Sequence, residues 1–140
     1  MSIPNFQGTS FSLQTTVRGI GFSEAIEKTI AALKTQGFGV LTEIDIKATM
    51  KNKLDREERD YVILGACNPQ VAHQALSAIP AIGLLLPCNV VVAKNEDKSI
   101  TIGVIDPVAM FSVVDDPDMA PLAQAVKLML TDALAQLAEA

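Results

Sequence analysis

The chain has 140 residues, of which 49% are apolar, 19% charged and 4% aromatic. A chain of this length buries roughly 68–70% of its extended surface on folding, so a single domain over residues 1–140 is expected and disorder is excluded. Eleven basic against sixteen acidic residues leave a net charge of −5, which disfavours a nucleic-acid partner, because phosphate backbones are bound by excess Lys and Arg.

The opening Met1-Ser2-Ile3-Pro4-Asn5 has neither the basic nor the apolar region of a signal peptide, so a cytoplasmic location with reduced thiols is expected. Phe11, Leu13, Thr15 and Val17 then alternate with Ser12, Gln14, Thr16 and Arg18, the period of a half-buried strand. After Gly19-Ile20-Gly21, Ser23 is a plausible cap for a helix over residues 23–36. Its apolar stripe is Phe22, Ile26, Ile30 and Leu33, and Gly37 stops it. Val40, Thr42, Ile44, Ile46, Ala48 and Met50 alternate with Glu43, Asp45, Lys47, Thr49 and Lys51, which predicts a long second strand. The mixed-charge run over residues 55–60 reads as a solvated connection.

Tyr61 to Cys67 is a continuous apolar run, as in a strand buried on both faces. Asn68-Pro69 starts a short helix, with Asn as cap and Pro where its missing N–H costs nothing; Pro80 ends it. Residues 84–93 read as a strand disturbed by Pro87, Asn95 to Lys98 as a hairpin turn, and residues 99–106 as the returning strand. An irregular linker then leads to a last helix over about 118–138. The mean hydropathy of +0.32 invites a membrane reading. Residues 61–93 indeed lack Asp, Glu, Lys and Arg, but Asn68, Pro69, Gln70, His73, Gln74, Pro80 and Pro87 interrupt a stretch that would need ~20 mainly apolar residues. No membrane span is expected.

The order β-α-β-β-(short α)-β-β-α argues for an α+β fold, an antiparallel five-stranded sheet with two long helices on one face. Those helices leave a second face. Val62 or Ile63, and Leu85 or Leu86, must point to it, and a large apolar patch rarely stays in water. Either the short helix or a second copy of the chain covers it, and a homodimer is the favoured expectation.

The most specific chemical feature is a doubled motif, Cys67-Asn68 and Cys88-Asn89, each beside a Pro. With His73, the sole histidine, the two thiols would offer a ligand set suited to Zn or Cu, although no fourth ligand is evident. Three readings follow: a small-ligand or metal site at Cys67, Cys88, Asn68, Asn89 and His73; a thiol-redox or sulfur-handling protein using Cys67 and Cys88; or a non-catalytic interaction module whose cysteines are core residues. Cys67 lies just before a helix N-terminus, where the dipole favours anions and a reactive thiol is often found. Other signals are weaker. Gly19-x-Gly21 lacks the remainder of a phosphate-binding fingerprint, Glu43 and Asp45 stand beside Lys47, and Asp106 with the 115–118 acids lacks calcium-loop spacing.

Gly39-Val40-Leu41-Thr42-Glu43-Ile44-Asp45-Ile46, Tyr61-Val62-Ile63-Leu64-Gly65-Ala66-Cys67-Asn68-Pro69 and Gly83-Leu84-Leu85-Leu86-Pro87-Cys88-Asn89-Val90-Val91-Val92 together resemble the domain-of-unknown-function family 302. The resemblance runs from about residue 10 to 136 and implies a β-α-β(4)-α arrangement of the TATA-box-binding-protein-like class, with dimers expected. It implies no activity, substrate or catalytic residue.

Overall fold

A computed structural model describes residues 8–138; the amino-terminal pentapeptide read for a signal sequence lies outside them. The alternating segment forms β1 (Ser12–Val17), followed by α1 (Phe22–Thr35). The cap of α1 is Gly21 rather than Ser23: the helix starts one residue earlier, at Phe22, which packs on the main core. At its other end Gly37 takes φ +83, and the Phe38 N–H reaches back to the Leu33 carbonyl at 3.0 Å. That reversal is one a side-chain-bearing residue adopts only with strain.

β2 (Gly39–Asp45) is shorter than its alternation predicts, and residues read as its second half form α2 (Ile46–Leu54). Asp45 decides this. Its carboxylate accepts from the Ala48 N–H at 2.9 Å, and its carbonyl accepts from the Thr49 hydroxyl at 2.8 Å. Lys, Ala and Met are also good helix formers. The charged run 55–60 answers the lysines of this helix: Asp60 meets Lys47 at 3.2 Å, and Asp55 and Glu57 meet Lys51 at 2.7 and 3.1 Å.

β3 (Tyr61–Cys67) leads into α3 (Pro69–Ala78), as Asn68-Pro69 indicates. A 3-10 segment, Pro80–Leu85, occupies the stretch where a strand was expected to begin, and β4 (Cys88–Lys94) starts only after Pro87. Pro80 and Pro87 have no N–H to give a ladder, so the chain pairs only beyond them. The turn at residues 95–98 joins β4 to β5 (Ile100–Ile105), with the Asn95 N–H donating to the Ser99 carbonyl at 2.8 Å. The linker after β5 is not wholly irregular. Asp106-Pro107 caps a short α4 (Pro107–Phe111) before the long α5 (Met119–Ala138).

The five strands are antiparallel in the order β1-β5-β4-β3-β2. Helices α1 and α5 pack together and against one face, as the sequence pattern predicts. Val62, Leu64, Val90, Val92 and Ile102 of that face and Leu130 of α5 form the main core; each such burial contributes ~1.5–3 kcal/mol. A smaller second core joins Ala75 of α3, Ile82, Phe111 of α4, and Met119 and Ala123 of α5. The short helix therefore builds this second core and leaves the far sheet face to itself. On that face, register places Tyr61, Ile63, Val91 and Ile105 half-buried, with Ile44 exposed at 46%. Leu85 and Leu86 belong to the second core instead of the sheet.

Candidate functional site

The two Cys-Asn motifs come together where β3 ends and β4 begins, but they are out of step by one residue. Ala66, not Cys67, is the partner of Cys88; Cys67 lies opposite Gly39 of β2, and Asn89 lies opposite Gly65. Cys88 consequently faces the helices and is buried, whereas Asn89 is exposed on the far face. Cys67, the last residue of β3, is half-buried, and both thiols are free. Burial pushes the Cys88 thiol up to about 11, and negative charge on the nearby Cys67 sulfur pushes the same way.

Asn68 has a full set of structural tasks. Its Oδ1 accepts from the Gln70 and Val71 N–H groups at 3.2 and 3.3 Å, capping α3. Its Nδ2 donates to the Gln36 carbonyl at the end of α1 (3.3 Å) and to the Met129 sulfur of α5 (3.9 Å). One side chain thus ties three helices. A methyl on Gly37 would sit 3.0 Å from that Nδ2, a second reason for glycine there.

Between the two cores lies a cavity of about 20 Å³, walled by Ala66, Cys67, Asn68, Cys88, Met110 and Phe111, among others. That is room for roughly one water molecule and far too little for an organic substrate. His73 is exposed on α3 and is not part of this wall. The structure thus joins the two cysteines but leaves the imidazole outside. Among the described residues no group of three His, Cys, Asp or Glu side chains could hold a metal. Met110, which the sequence pattern does not single out, lines the cavity where His73 was expected. It lies in the stretch read as a linker, and only the capping of α4 by Asp106 brings it to the wall.

The far side of the same strand ends is closed. A methyl on Gly65 would overlap the Thr42 hydroxyl, and it would lie 2.9 Å from the Pro87 ring. The remaining polar candidates have local duties. Gly19 is exposed at φ +81 in a turn, Asp45 caps α2, and Asp116 accepts from the Asp118 N–H at 2.9 Å. Asp106 caps α4 through Val108 N–H and meets Lys127 of α5, both at 2.9 Å. Burial works against its charge, but the Lys127 ammonium and the Val108 and Ala109 N–H groups hold the carboxyl below the usual range. Two wider depressions, about 520 Å³ beside Asp115 and Asp116 and about 500 Å³ between β1 and α5, contain neither motif.

The sequence model of the family described as domain of unknown function DUF302 matches residues 13–137. The chain belongs to this family. Among solved structures, the crystal structure of an uncharacterized conserved DUF302 protein from Bacillus stearothermophilus is similar. It is 30% identical, covers 91% of this chain and 98% of its own, and superposes with a TM-score of 0.83. No curated protein matches. The family assignment accords with the resemblance carried by the Cys-Asn motifs, and no helix among the described residues is long and apolar enough to cross a membrane.

Proposed function

We propose that this DUF302 domain is a cytoplasmic binding domain that takes a single very small ligand, of ionic rather than organic size, beside Cys67 and Cys88. The carrying observation is that both cysteines wall one cavity of about 20 Å³. Room for one water-sized body beside two cysteines suits an ion and excludes a metabolite. The thiol-redox reading fits less well. At neutral pH Cys88 is a buried thiol rather than a thiolate, and the thiolate is the nucleophile. The test is pulsed alkylation of the native, reduced protein with and without Zn(II) or Cu(I), read by mass spectrometry. Labelling of Cys67 that a metal suppresses supports the binding site. Labelling that is the same with and without either metal makes both cysteines plain core residues.

A second reading concerns assembly. Ile44, Ile63 and Val91 form an apolar row across β2, β3 and β4 on the face that neither long helix covers. We propose that a second copy of the chain covers it as a homodimer. Ile63→Lys should shift the mass in analytical ultracentrifugation from dimer to monomer. A wild-type chain that sediments as a monomer at all concentrations overturns this reading.

A further inference from the structure

We infer that the groove beside Asp115 and Asp116 binds a small organic cation, an ammonium group carried on an apolar body. The groove is a different place from the cysteine cavity, and either reading can fail without the other. Its volume of about 520 Å³ lies within the range of small-molecule sites, against about 20 Å³ at the cysteines. It is formed by α4, the connection over residues 112–118 and the first turns of α5. The floor is the outer flank of the second core. Phe111, Met119 and Ala123 are buried there, with Val108 and Val114 half-buried beside them. A hydrocarbon or aromatic body laid on those side chains removes apolar surface from water.

Charge on the walls selects the head group. Asp115 and Asp116 line the groove, and no Lys, Arg or His among the described residues does. Neither carboxylate enters an ion pair among the described residues, and Lys127 of α5 is committed to Asp106 at 2.9 Å. Asp116 accepts from the Asp118 N–H through Oδ1 at 2.9 Å, so its other oxygen faces no such demand. The amino end of α5 is the opposing influence, since a helix start carries about half a positive charge. Its first N–H groups are already spent: Met119 donates to the Asp116 carbonyl at 3.1 Å and Ala120 to the Pro117 carbonyl at 3.3 Å. Asp118 adds a third carboxylate nearby. Negative charge therefore prevails at the groove; it complements an ammonium and repels a carboxylate or phosphate.

The test is a titration of the full chain with phenylbutylamine, neutral phenylbutanol and anionic phenylbutyrate, three probes that share one apolar body. Binding is followed by backbone amide shifts in nitrogen–proton correlation NMR spectra. The amine is expected to shift amides within residues 108–124 and to bind roughly fivefold more tightly than the alcohol, with the carboxylate weakest. Added salt should shrink that advantage. Asp115→Asn combined with Asp116→Asn keeps an acceptor for the Asp118 N–H, and should remove the amine's advantage while leaving the alcohol's affinity unchanged. Ala120→Trp, at an exposed position on the groove wall, should fill the groove and abolish binding of all three probes. Absence of shifts in the groove with every probe overturns the site. Equal affinity for amine and alcohol, or tightest binding of the carboxylate, overturns the choice of a cation. Shifts that persist in Ala120→Trp overturn the location.

Discussion

The two Cys-Asn motifs share a dipeptide and little else. In the first, the strand ends at Cys67 and Asn68 becomes the cap of a helix, with hydrogen bonds to α1, α3 and α5. In the second, the strand begins at Cys88, so strand alternation continues through Asn89 and sends its side chain into solvent. A single residue of offset between paired strands therefore makes one asparagine a tie between helices and the other a surface residue. It also leaves one cysteine inside and the other half outside.

This asymmetry can be broken at graded strength. Gly65→Ala, opposite Asn89, forces a methyl against the Thr42 hydroxyl and the Pro87 ring. Overpacking of this kind should cost about 2–3 kcal/mol, seen as a lowered midpoint in urea denaturation. Asn68→Ala should cost about 2 kcal/mol, since it removes a helix cap and leaves the Gln36 carbonyl without that donor. Asn89→Ala should change stability by no more than about 0.5 kcal/mol, as at ordinary surface positions.

Alkaline pH separates the cysteines instead of the asparagines. The folded Cys88 thiol ionises near 11 against an ordinary 9.0. The folded state therefore holds its proton more tightly, and this contribution to stability is complete below pH 9.0 and disappears as pH rises through 11. Urea midpoints measured across that window should fall, and Cys88→Ala should remove part of the slope.

Much of the fold was legible because its signals were local. The period-2 run of β1, the apolar stripe of α1, and Asn68 followed by Pro69 each mark their element within a few residues. The same cap-plus-proline signal recurs at Asp106-Pro107, but the stretch behind it, Val108 to Phe111, is too short to show a helical period. The opposite difficulty arises at residues 46–51. There Ile46, Ala48 and Met50 alternate with Lys47, Thr49 and Lys51 as a strand would, while the cap on Asp45 and the lysine ion pairs turn the segment into a helix. Those ion pairs form with residues further along the chain, which alternation cannot register. The candidate site was legible only in its cysteines. Met110 is separated from Cys88 by a hairpin and a helix cap, so nothing in the spacing of the two marks them as neighbours.

The way α2 is held has a dynamic consequence. It has no fully buried residue, and its ties are exposed ion pairs, each worth little in water and less in salt. Its opening free energy should therefore lie near the bottom of the molecule's range, while β4 and β5 open only with global unfolding. In hydrogen–deuterium exchange the amides of residues 48–54 should become labelled first among the helices, and sooner at high ionic strength. The same segment is then the expected first site of nicking by a protease, with the sheet and its two long helices still intact.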